Sequence, residues 1–389
     1  MGLHLFKQDM EIGVFEFADP GHFTLLDSVA RIFSSSEKNR VVLHTSQNHQ
    51  SKCTQLIQKL QRLNLTIDSI ESPSNIQLAV IITPDHQLDK TFQIVSDYPT
   101  WMFIHNIDDW FDLTLSKTLR QTSSALIKDK NPRLAYYLFK RAIKGNRIKK
   151  QIIQQQLATE NAHFLVLNED LKTELSSFVP VAKIKIIPFS VYDPELKDMS
   201  HQNERVRICI PGILSQKRRD YLSLFKVLES MPMSLLEKIE IDLLGGISPT
   251  AGEQSDIVVK NAKRLIKNNY PIILREKAYI ELDEFDIELS KADIILGNLN
   301  IDQGGGSRYG KTKESGIPFT MIRAAKPGIM PAEYSVLQEL RTSTQTFKDY
   351  SELKSIFDEL TNLELLNKLK EEAKINSQKF IDRVILNKP

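Results

Sequence analysis

Short apolar runs alternate with longer amphipathic segments along the first half of the chain. Runs rich in Val, Ile, Leu and Phe predict strands over residues 11–17, 40–45, 77–83, 100–105, 162–167 and 183–188. Apolar residues recur at the helical spacing of 3.6 over residues 23–33, 51–63 and 132–158. Strands that alternate with helices build a parallel sheet. The first half is therefore predicted to be an α/β domain.

A polar, aperiodic segment over residues 192–204 interrupts this pattern and predicts an interdomain linker. The pattern then restarts, with strands predicted over 205–210, 239–244, 272–274, 292–296 and 328–330. Helices are predicted over 219–231, 254–268, 280–291, 318–325 and 353–384. We therefore expect two α/β domains, residues 1–195 and 196–365, followed by a helical segment over 366–389.

Composition narrows the class of protein. The 51 Lys and Arg residues nearly balance the 49 Asp and Glu residues, which argues against a dedicated nucleic-acid binder. Cys53 and Cys209 stand far apart without a metal-ligand pattern, so we expect neither disulfides nor a metal site. No run approaches the ~20 apolar residues of a membrane-spanning helix, and residues 1–10 lack the core of a signal peptide. A cytoplasmic protein is expected.

The loop after the predicted strand 292–296 leads into a helix start with anion-binding character. Pro318 suits the first helical turn, which places Ser315 and Gly316 at the helix N-terminus. Unpaired N–H groups and the positive end of the helix dipole attract anions there. Lys313 would neutralise a phosphate and Tyr309 would line the pocket. The alternative is a flexible glycine loop before an ordinary capped helix.

A second such loop follows the first strand of the second half. It contains two small residues, Gly212 and Ser215, and the basic run Lys217, Arg218 and Arg219. Ligands of open α/β sheets bind at the carboxyl ends of the strands. Arginine offers a planar fork that suits a diphosphate. A solvated charge run is the alternative for this loop alone, but two such loops at one sheet edge favour a diphosphate site.

These features together resemble the GT-B nucleotide-sugar glycosyltransferases, most clearly over residues 205–334. The resemblance rests on the GxxSxKRR pattern at 212–219, the LLGG strand end at 243–246 and the YGKxKxSG pattern at 309–316. It implies two Rossmann-like domains that face each other across a cleft, with the donor bound mainly by the second. It also implies that no metal is required and that a C-terminal helix returns to the first domain.

The resemblance implies further donor-binding residues. Gly245 and Gly246 match the loop after the second strand of the donor domain. The segment that holds the nucleotide base in the family corresponds to residues 275–279, with Arg275, Lys277 and Tyr279 as candidates. Retaining members often carry a Glu where this chain has Thr320, so a retaining pair of carboxylates is not expected. Inversion is favoured, with a base from the first domain.

Candidates for this base follow the strands of the first half. His22 ranks first, because a neutral imidazole with a pKa near ~6.5 accepts a proton from a sugar hydroxyl. His105 ranks second, and Asp19 completes the predicted catalytic set. The other carboxylates considered are Glu16, Asp108 and Asp109. For each histidine, the alternative is an ordinary hydrogen-bonded loop residue.

A basic stretch with interleaved aromatic residues lies at 133–150, where seven Lys and Arg residues occur without an acidic one. An amphipathic helix of this kind suits an anionic bilayer surface, and the predicted contacts are Lys140, Arg141, Lys144 and Arg147. The alternatives are a solvated helix face or a patch for a polyanionic acceptor. The membrane interpretation predicts peripheral attachment to the inner face of the plasma membrane.

The predicted function is therefore transfer of a hexose from a nucleoside-diphosphate sugar to a glycan or lipid-linked acceptor, without metal or cofactor. One alternative is a nucleotide-sugar epimerase on the same scaffold, which would need several acids and a His in the cleft but no acceptor surface. The other is a non-catalytic GT-B-like subunit. Loss of the phosphate site would mark such a subunit, yet Arg218, Lys313 and Ser315 are present.

Overall fold

A computed structural model of the 389-residue chain describes residues 10–18, 23–34, 39–45, 58, 66–69, 76–114, 132–200, 204–247, 252–302 and 307–386. The described residues fall into two compact units. Unit 1 comprises Met1–Phe189 and Gly304–Glu314, and unit 2 comprises Ser190–Gln303 and Ser315–Leu386. The short segment Gly304–Glu314 thus belongs with unit 1, although it follows a strand of unit 2 in the sequence.

Unit 1 is built on a parallel sheet of seven strands. They are β1 (Met10–Phe15), β2 (Asn39–Thr45), β3 (Thr66–Ser69), β4 (Leu78–Ile81), β5 (Thr100–Phe103), β6 (His163–Val166) and β7 (Ile184–Ile186). Their order is β3-β2-β1-β4-β5-β6-β7, and every neighbouring pair is parallel. The order of connection reverses between β1 and β4. This topological switch point is where open α/β sheets bind their ligands.

The helices described in unit 1 are α1 (Phe23–Ser34), α2 (Leu88–Asp97), α3 (Ile107–Phe111), α4 (Pro132–Ala158) and α5 (Glu169–Leu175). The central strands β1 and β4 are buried on both faces, which is why they are nearly continuous apolar runs. At the start of α5, the side chain of Asn168 accepts a hydrogen bond from the Leu171 N–H at 2.9 Å. This cap satisfies one of the N–H groups that have no partner inside the helix.

Unit 2 repeats the plan with six strands. They are β8 (Val206–Cys209), β9 (Ile239–Leu243), β10 (Ile272–Leu274), β11 (Ile294–Leu296), β12 (Gly328–Pro331) and β13 (Thr344–Phe347). The order is β10-β9-β8-β11-β12-β13, again with parallel neighbours, and the switch point lies between β8 and β11. The predicted α/β class with two Rossmann-like sheets is therefore confirmed.

Seven helices surround this sheet in the described part of unit 2. They are α6 (Tyr221–Glu229), α7 (Met233–Leu236), α8 (Glu253–Lys267), α9 (Leu282–Lys291), α10 (Ile317–Ala324), α11 (Glu352–Leu360) and α12 (Leu363–Leu386). The segment predicted as one helix over 353–384 is thus two helices. On α12, Asn376 donates hydrogen bonds to Thr342 and Ser343 at 3.0 Å, both within unit 2. That the end of the chain returns to the first domain stays a prediction.

The residues predicted as a linker are anchored to unit 2. The Asp193 N–H donates to the Arg323 carbonyl at 3.0 Å, and the Asp198 carboxylate accepts from the buried Lys326 ammonium at 2.5 Å. Burial lowers the pKa of Lys326, and Asp198 opposes that shift. The boundary between the units lies at Phe189 and Ser190, just before these anchors.

Candidate functional site

The loop after β8 packs directly on the loop after β9 in unit 2. Gly212 has a φ of +101°, and its N–H donates to the Leu244 carbonyl at 2.9 Å. A Cβ atom at Gly245 would lie 1.8 Å from the Gly212 carbonyl oxygen, and one at Gly246 would lie 2.5 Å from the Ala278 carbonyl oxygen. Close approach of the backbones explains Gly245 and Gly246, and the left-handed φ explains Gly212, in each case without a ligand. All three lie at the carboxyl edge of the sheet, after β8 and β9.

Two adjacent arginines of this loop have different surroundings. Arg219 is buried, and its guanidinium donates to the carbonyls of Pro211 at 2.6 Å and Ile213 at 3.3 Å. Arg219 therefore stabilises the loop by hydrogen bonds to its carbonyl groups. It does not face a ligand, contrary to the prediction. Arg218 is exposed and forms no ion pair among the described residues. Its backbone N–H donates to the carbonyl oxygen of the buried Ser215 at 3.1 Å. The backbone of Arg218 is thus held in place, and its guanidinium is accessible to a ligand.

The start of α10 lies at the same edge of unit 2. Ser315 is buried, and its Oγ accepts the Ile317 N–H at 3.2 Å, one residue before the N-cap Gly316; its predicted contact with the donor stays a prediction. Pro318 lies in the first turn, as predicted. Gly316 is exposed, and a Cβ atom there would meet nothing within 4 Å. The positive end of this helix is therefore open at Gly316, and an anion there would be stabilised.

The sequence places Tyr309 and Lys313 in the donor domain, but in the structure both residues belong to unit 1. Lys313 forms an antiparallel bridge with Asn106, and the Ile107 N–H donates to the Thr312 carbonyl at 2.8 Å. The Lys313 ammonium lies 5.5 Å from the centroid of the buried Tyr309 ring, a cation–π contact. Since the loop has no periodicity, the sequence carried no signal of this attachment.

Arg275 takes part in a cluster of charged side chains centred on the buried Asp242. Its guanidinium donates to Asp242 and, at 2.8 Å, to Glu288. Arg207 donates to the same two carboxylates at 2.6 Å each, and Asp242 is fully buried. Burial alone would raise the pKa of Glu288, but hydrogen bonds from Lys291 and Arg207 outweigh it and the net shift is downward. The guanidinium predicted to hold a nucleotide base thus stabilises the interior of unit 2.

The other two base-binding candidates lie on the surface of unit 2. Lys277 is exposed and forms an ion pair with Glu284 at 2.7 Å. Tyr279 is 40% exposed, which leaves its ring accessible for stacking. The structure is compatible with the predicted base contact for Tyr279, and that contact stays a prediction.

At the carboxyl edge of unit 1, a carboxyl group spans the switch point. Glu16 directly follows β1 and Thr83 lies just after β4; the Thr83 hydroxyl donates to Glu16 Oε1 at 2.6 Å. The Ala18 N–H donates to the same oxygen at 2.6 Å. Burial raises the pKa of Glu16 to about 7; these two hydrogen bonds lower it, and the negative charge of Asp85 raises it. Thr83 had no place among the candidates from the sequence.

His105 follows β5 at this edge. Its Nε2 lies 2.7 Å from the Ile82 carbonyl oxygen, and the ring stacks on Phe103. Burial lowers the pKa of His105, which keeps the ring neutral. A neutral ring that donates from Nε2 carries its lone pair on Nδ1. The role of His105 as a base stays a prediction, while His22 and Asp19 lie outside the described residues.

The neighbouring aspartates belong to α3, which is tied to α4. The Asn106 amide donates to the Asp109 carboxylate at 2.7 Å. Lys149 of α4 donates to the Asp109 carbonyl at 2.8 Å and lies 5.2 Å from the centroid of the buried Trp110 ring. Asp108 is half-buried in the same turn. Lys149 thus has a structural role and does not belong to the exposed basic face of α4.

That basic face is formed by Lys140, Lys144, Arg147 and Lys150, which are exposed at helical spacing. Ile143 lies among them and is 45% exposed. Lys144 approaches Asp89 at 3.7 Å, but both side chains are largely exposed, so this pair adds little to stability. The side chain of Arg141 lies outside the described residues.

Two kinds of feature are missing from the described part of the chain. No helix there is long and apolar enough to cross a bilayer. No cluster of three or more His, Cys, Asp and Glu residues there is arranged to hold a metal ion.

Sequence comparison finds no matching family model and no similar curated protein. Solved structures do match. HepE from Anabaena, crystallised with UDP and glucose, has a TM-score of 0.63 at 12% identity, with 97% of each chain covered. Sucrose-phosphate synthase from Thermosynechococcus elongatus has a TM-score of 0.59 at 11% identity, covering 97% of this chain and 96% of that one.

WaaG, described as a glycosyltransferase of lipopolysaccharide biosynthesis, has a TM-score of 0.54 at 11% identity, covering 94% of this chain and 95% of that one. Likeness at such low identity reports the fold, because many functions share one scaffold. The two parallel sheets of this chain therefore form the GT-B fold of these glycosyltransferases.

Proposed function

We propose that this protein is a glycosyltransferase that moves a sugar from a nucleoside-diphosphate sugar to an acceptor hydroxyl. The observation that carries the proposal is the GT-B fold along nearly the whole chain, shared with HepE, whose crystal structures contain UDP or UDP-glucose. Its support within unit 2 is the switch-point edge, where an exposed guanidinium and an open helix start are both present.

The donor's diphosphate would bind at this edge of unit 2. Arg218 would neutralise its charge, and the start of α10 at Gly316 would add the field of the helix dipole. These groups would also stabilise the nucleoside diphosphate as it leaves the anomeric carbon, which is the role a metal has in other transferases. We therefore propose transfer without a metal. The contribution of Lys313 stays a prediction.

Nucleotide binding can be tested without knowing the acceptor. We expect one of UDP, GDP or CDP to raise the melting temperature, because a ligand that binds only the folded state stabilises it by about 2.7 kcal/mol at 100 times its Kd. Differential scanning fluorimetry measures this shift. The matching nucleosides without phosphate serve as controls and should shift the melting temperature far less. No shift with any nucleoside diphosphate would contradict the proposed donor site.

We further propose that the acceptor is lipid-linked and that the basic face of α4 holds the protein on an anionic bilayer. The four exposed basic residues carry no acidic residue between them, and Ile143 offers an apolar contact within the same face. Each Lys or Arg near such a surface contributes about 1 kcal/mol. Together they would supply reversible, salt-dependent attachment.

Replacing Lys140, Lys144 and Arg147 with alanine should lower the affinity for vesicles with 30% phosphatidylglycerol by roughly 100-fold or more, from about 1 kcal/mol per charge. Vesicle flotation at low and high salt measures the loss. The control removes three exposed charges elsewhere, Lys226, Lys260 and Lys267 of α6 and α8, and should bind like the parent protein. Equal binding by both triple variants would argue against this face.

A further inference from the structure

Glu16 occupies a distinctive place in unit 1. It directly follows β1, and its carboxyl is hydrogen bonded to Thr83 beyond β4, so it bridges the two strands that flank the switch point. In sheets of this kind, ligands enter from the carboxyl side at that crevice. The side chain is only 2% exposed. A carboxyl group is a costly choice for such a buried position unless it has a use there.

The two oxygens of this carboxyl differ. Oε1 accepts two hydrogen bonds of 2.6 Å, from Thr83 and from the Ala18 N–H. Oε2 is buried and has no hydrogen-bond partner among the described residues. A buried oxygen of this kind either carries a proton or needs a donor from another molecule. Because Oε1 is held from two sides, the orientation of Oε2 is fixed.

Resting on the proposed function, we infer that Glu16 is the catalytic residue that accepts the proton of the acceptor's hydroxyl group. In this step the acceptor oxygen forms a bond with the anomeric carbon, and its proton passes to Glu16 Oε2. The bond from the anomeric carbon to the phosphate oxygen breaks, and the nucleoside diphosphate leaves with the electron pair. Atoms and charge balance without a further reactant.

The ionisable groups around Glu16 make this step pH-dependent. Asp85, after β4, adds negative charge that favours the protonated carboxyl. The other ionisable side chains described at this edge are His44 of β2, His86 and, after β5, His105, Asp108 and Asp109; burial keeps His105 neutral. With the pKa of Glu16 at about 7, the carboxylate that can accept a proton forms only as the pH rises through neutrality. Turnover should therefore rise along an acid limb centred near pH 7.

The test compares the parent protein with Glu16→Gln, which keeps the Oε1 acceptor and the shape of the side chain. The probe is UDP-glucose with water as acceptor, and the released UDP is measured from pH 5 to pH 9. We expect Glu16→Gln to lower kcat by ~10²–10⁴-fold and to lose the acid limb, because it cannot take a proton. The melting-temperature shift with UDP should persist, since the substitution lies in unit 1.

Glu11→Gln is the matched control, because Glu11 lies on the same strand but near its other end and pairs with Arg40. It should retain the kcat and the acid limb of the parent. If Glu16→Gln also retains both, the inference about Glu16 is overturned while the proposed function stands. If the parent protein shifts with none of UDP, GDP and CDP and releases no nucleoside diphosphate from the corresponding glucose donors, the proposed donor chemistry fails and the inference falls with it.

Discussion

Replacing Asp242 with asparagine is expected to lower the free energy of unfolding of unit 2 by about 3–5 kcal/mol, because it leaves two buried guanidinium groups with too little negative charge. Asp242 is fully buried and accepts hydrogen bonds from both Arg207 and Arg275. A second carboxylate, Glu288, is shared between the same two arginines, and Glu240 lies 3.7 Å from Arg207. Asparagine keeps the volume of the side chain, so the loss would report charge rather than a cavity.

Urea denaturation followed by circular dichroism measures this loss in the full chain. Both tryptophans, Trp101 and Trp110, lie in unit 1, so their fluorescence transition serves as an internal reference that should move little. Hydrogen exchange of peptides from 204–247 should accelerate. Glu276→Gln is the control, because its ion pair with Lys263 is exposed and such pairs contribute about 0–1 kcal/mol. Equal losses in both variants would exclude a special role for the cluster.

Most strands could be predicted from the sequence because buried parallel strands are short runs of apolar residues. β11 is buried on both faces and is a continuous apolar run, while β8 is buried on both faces and apolar apart from Arg207. α4 has the bounds expected from its periodicity and its initial proline. β13 was missed, since its sequence TQTF at the sheet edge is only partly buried. The break between α11 and α12 contains neither Gly nor Pro. The residue that indicates the break is Asn362, just before α12, whose side chain accepts the Glu364 N–H at 3.0 Å.

The candidate site was predictable in position but not in detail. Loops after β8 and β11 are brought to the carboxyl edge by any parallel sheet, so the sequence could locate this edge but not the strand order that places the switch point there. It could not tell which of the adjacent Arg218 and Arg219 faces outward, because that depends on carbonyl groups supplied by the folded loop. Arg275 was misjudged for the same reason, since its partners Asp242 and Glu288 come from distant elements.

Arg218→Ala is expected to lower kcat/KM for sugar transfer by roughly 10²–10³-fold, the usual loss when one group that stabilises developing charge is removed. The side chain is exposed and has no ion pair among the described residues, so its removal should change the free energy of unfolding by less than about 0.5 kcal/mol. The backbone around it is held by Ser215 and Asn300 and should not move. Initial rates with UDP-glucose and the UDP-induced melting-temperature shift give the two readouts.

Two further variants separate a specific contact from a change in charge. Lys226→Ala removes one positive charge from an exposed position of α6 and should leave kcat/KM unchanged. Arg218→Lys keeps the charge but loses the planar fork, so it should recover only part of the rate if the diphosphate is bound by two parallel hydrogen bonds. Full recovery by lysine would indicate a purely electrostatic role. A normal rate for Arg218→Ala would contradict the proposed contact between Arg218 and the diphosphate.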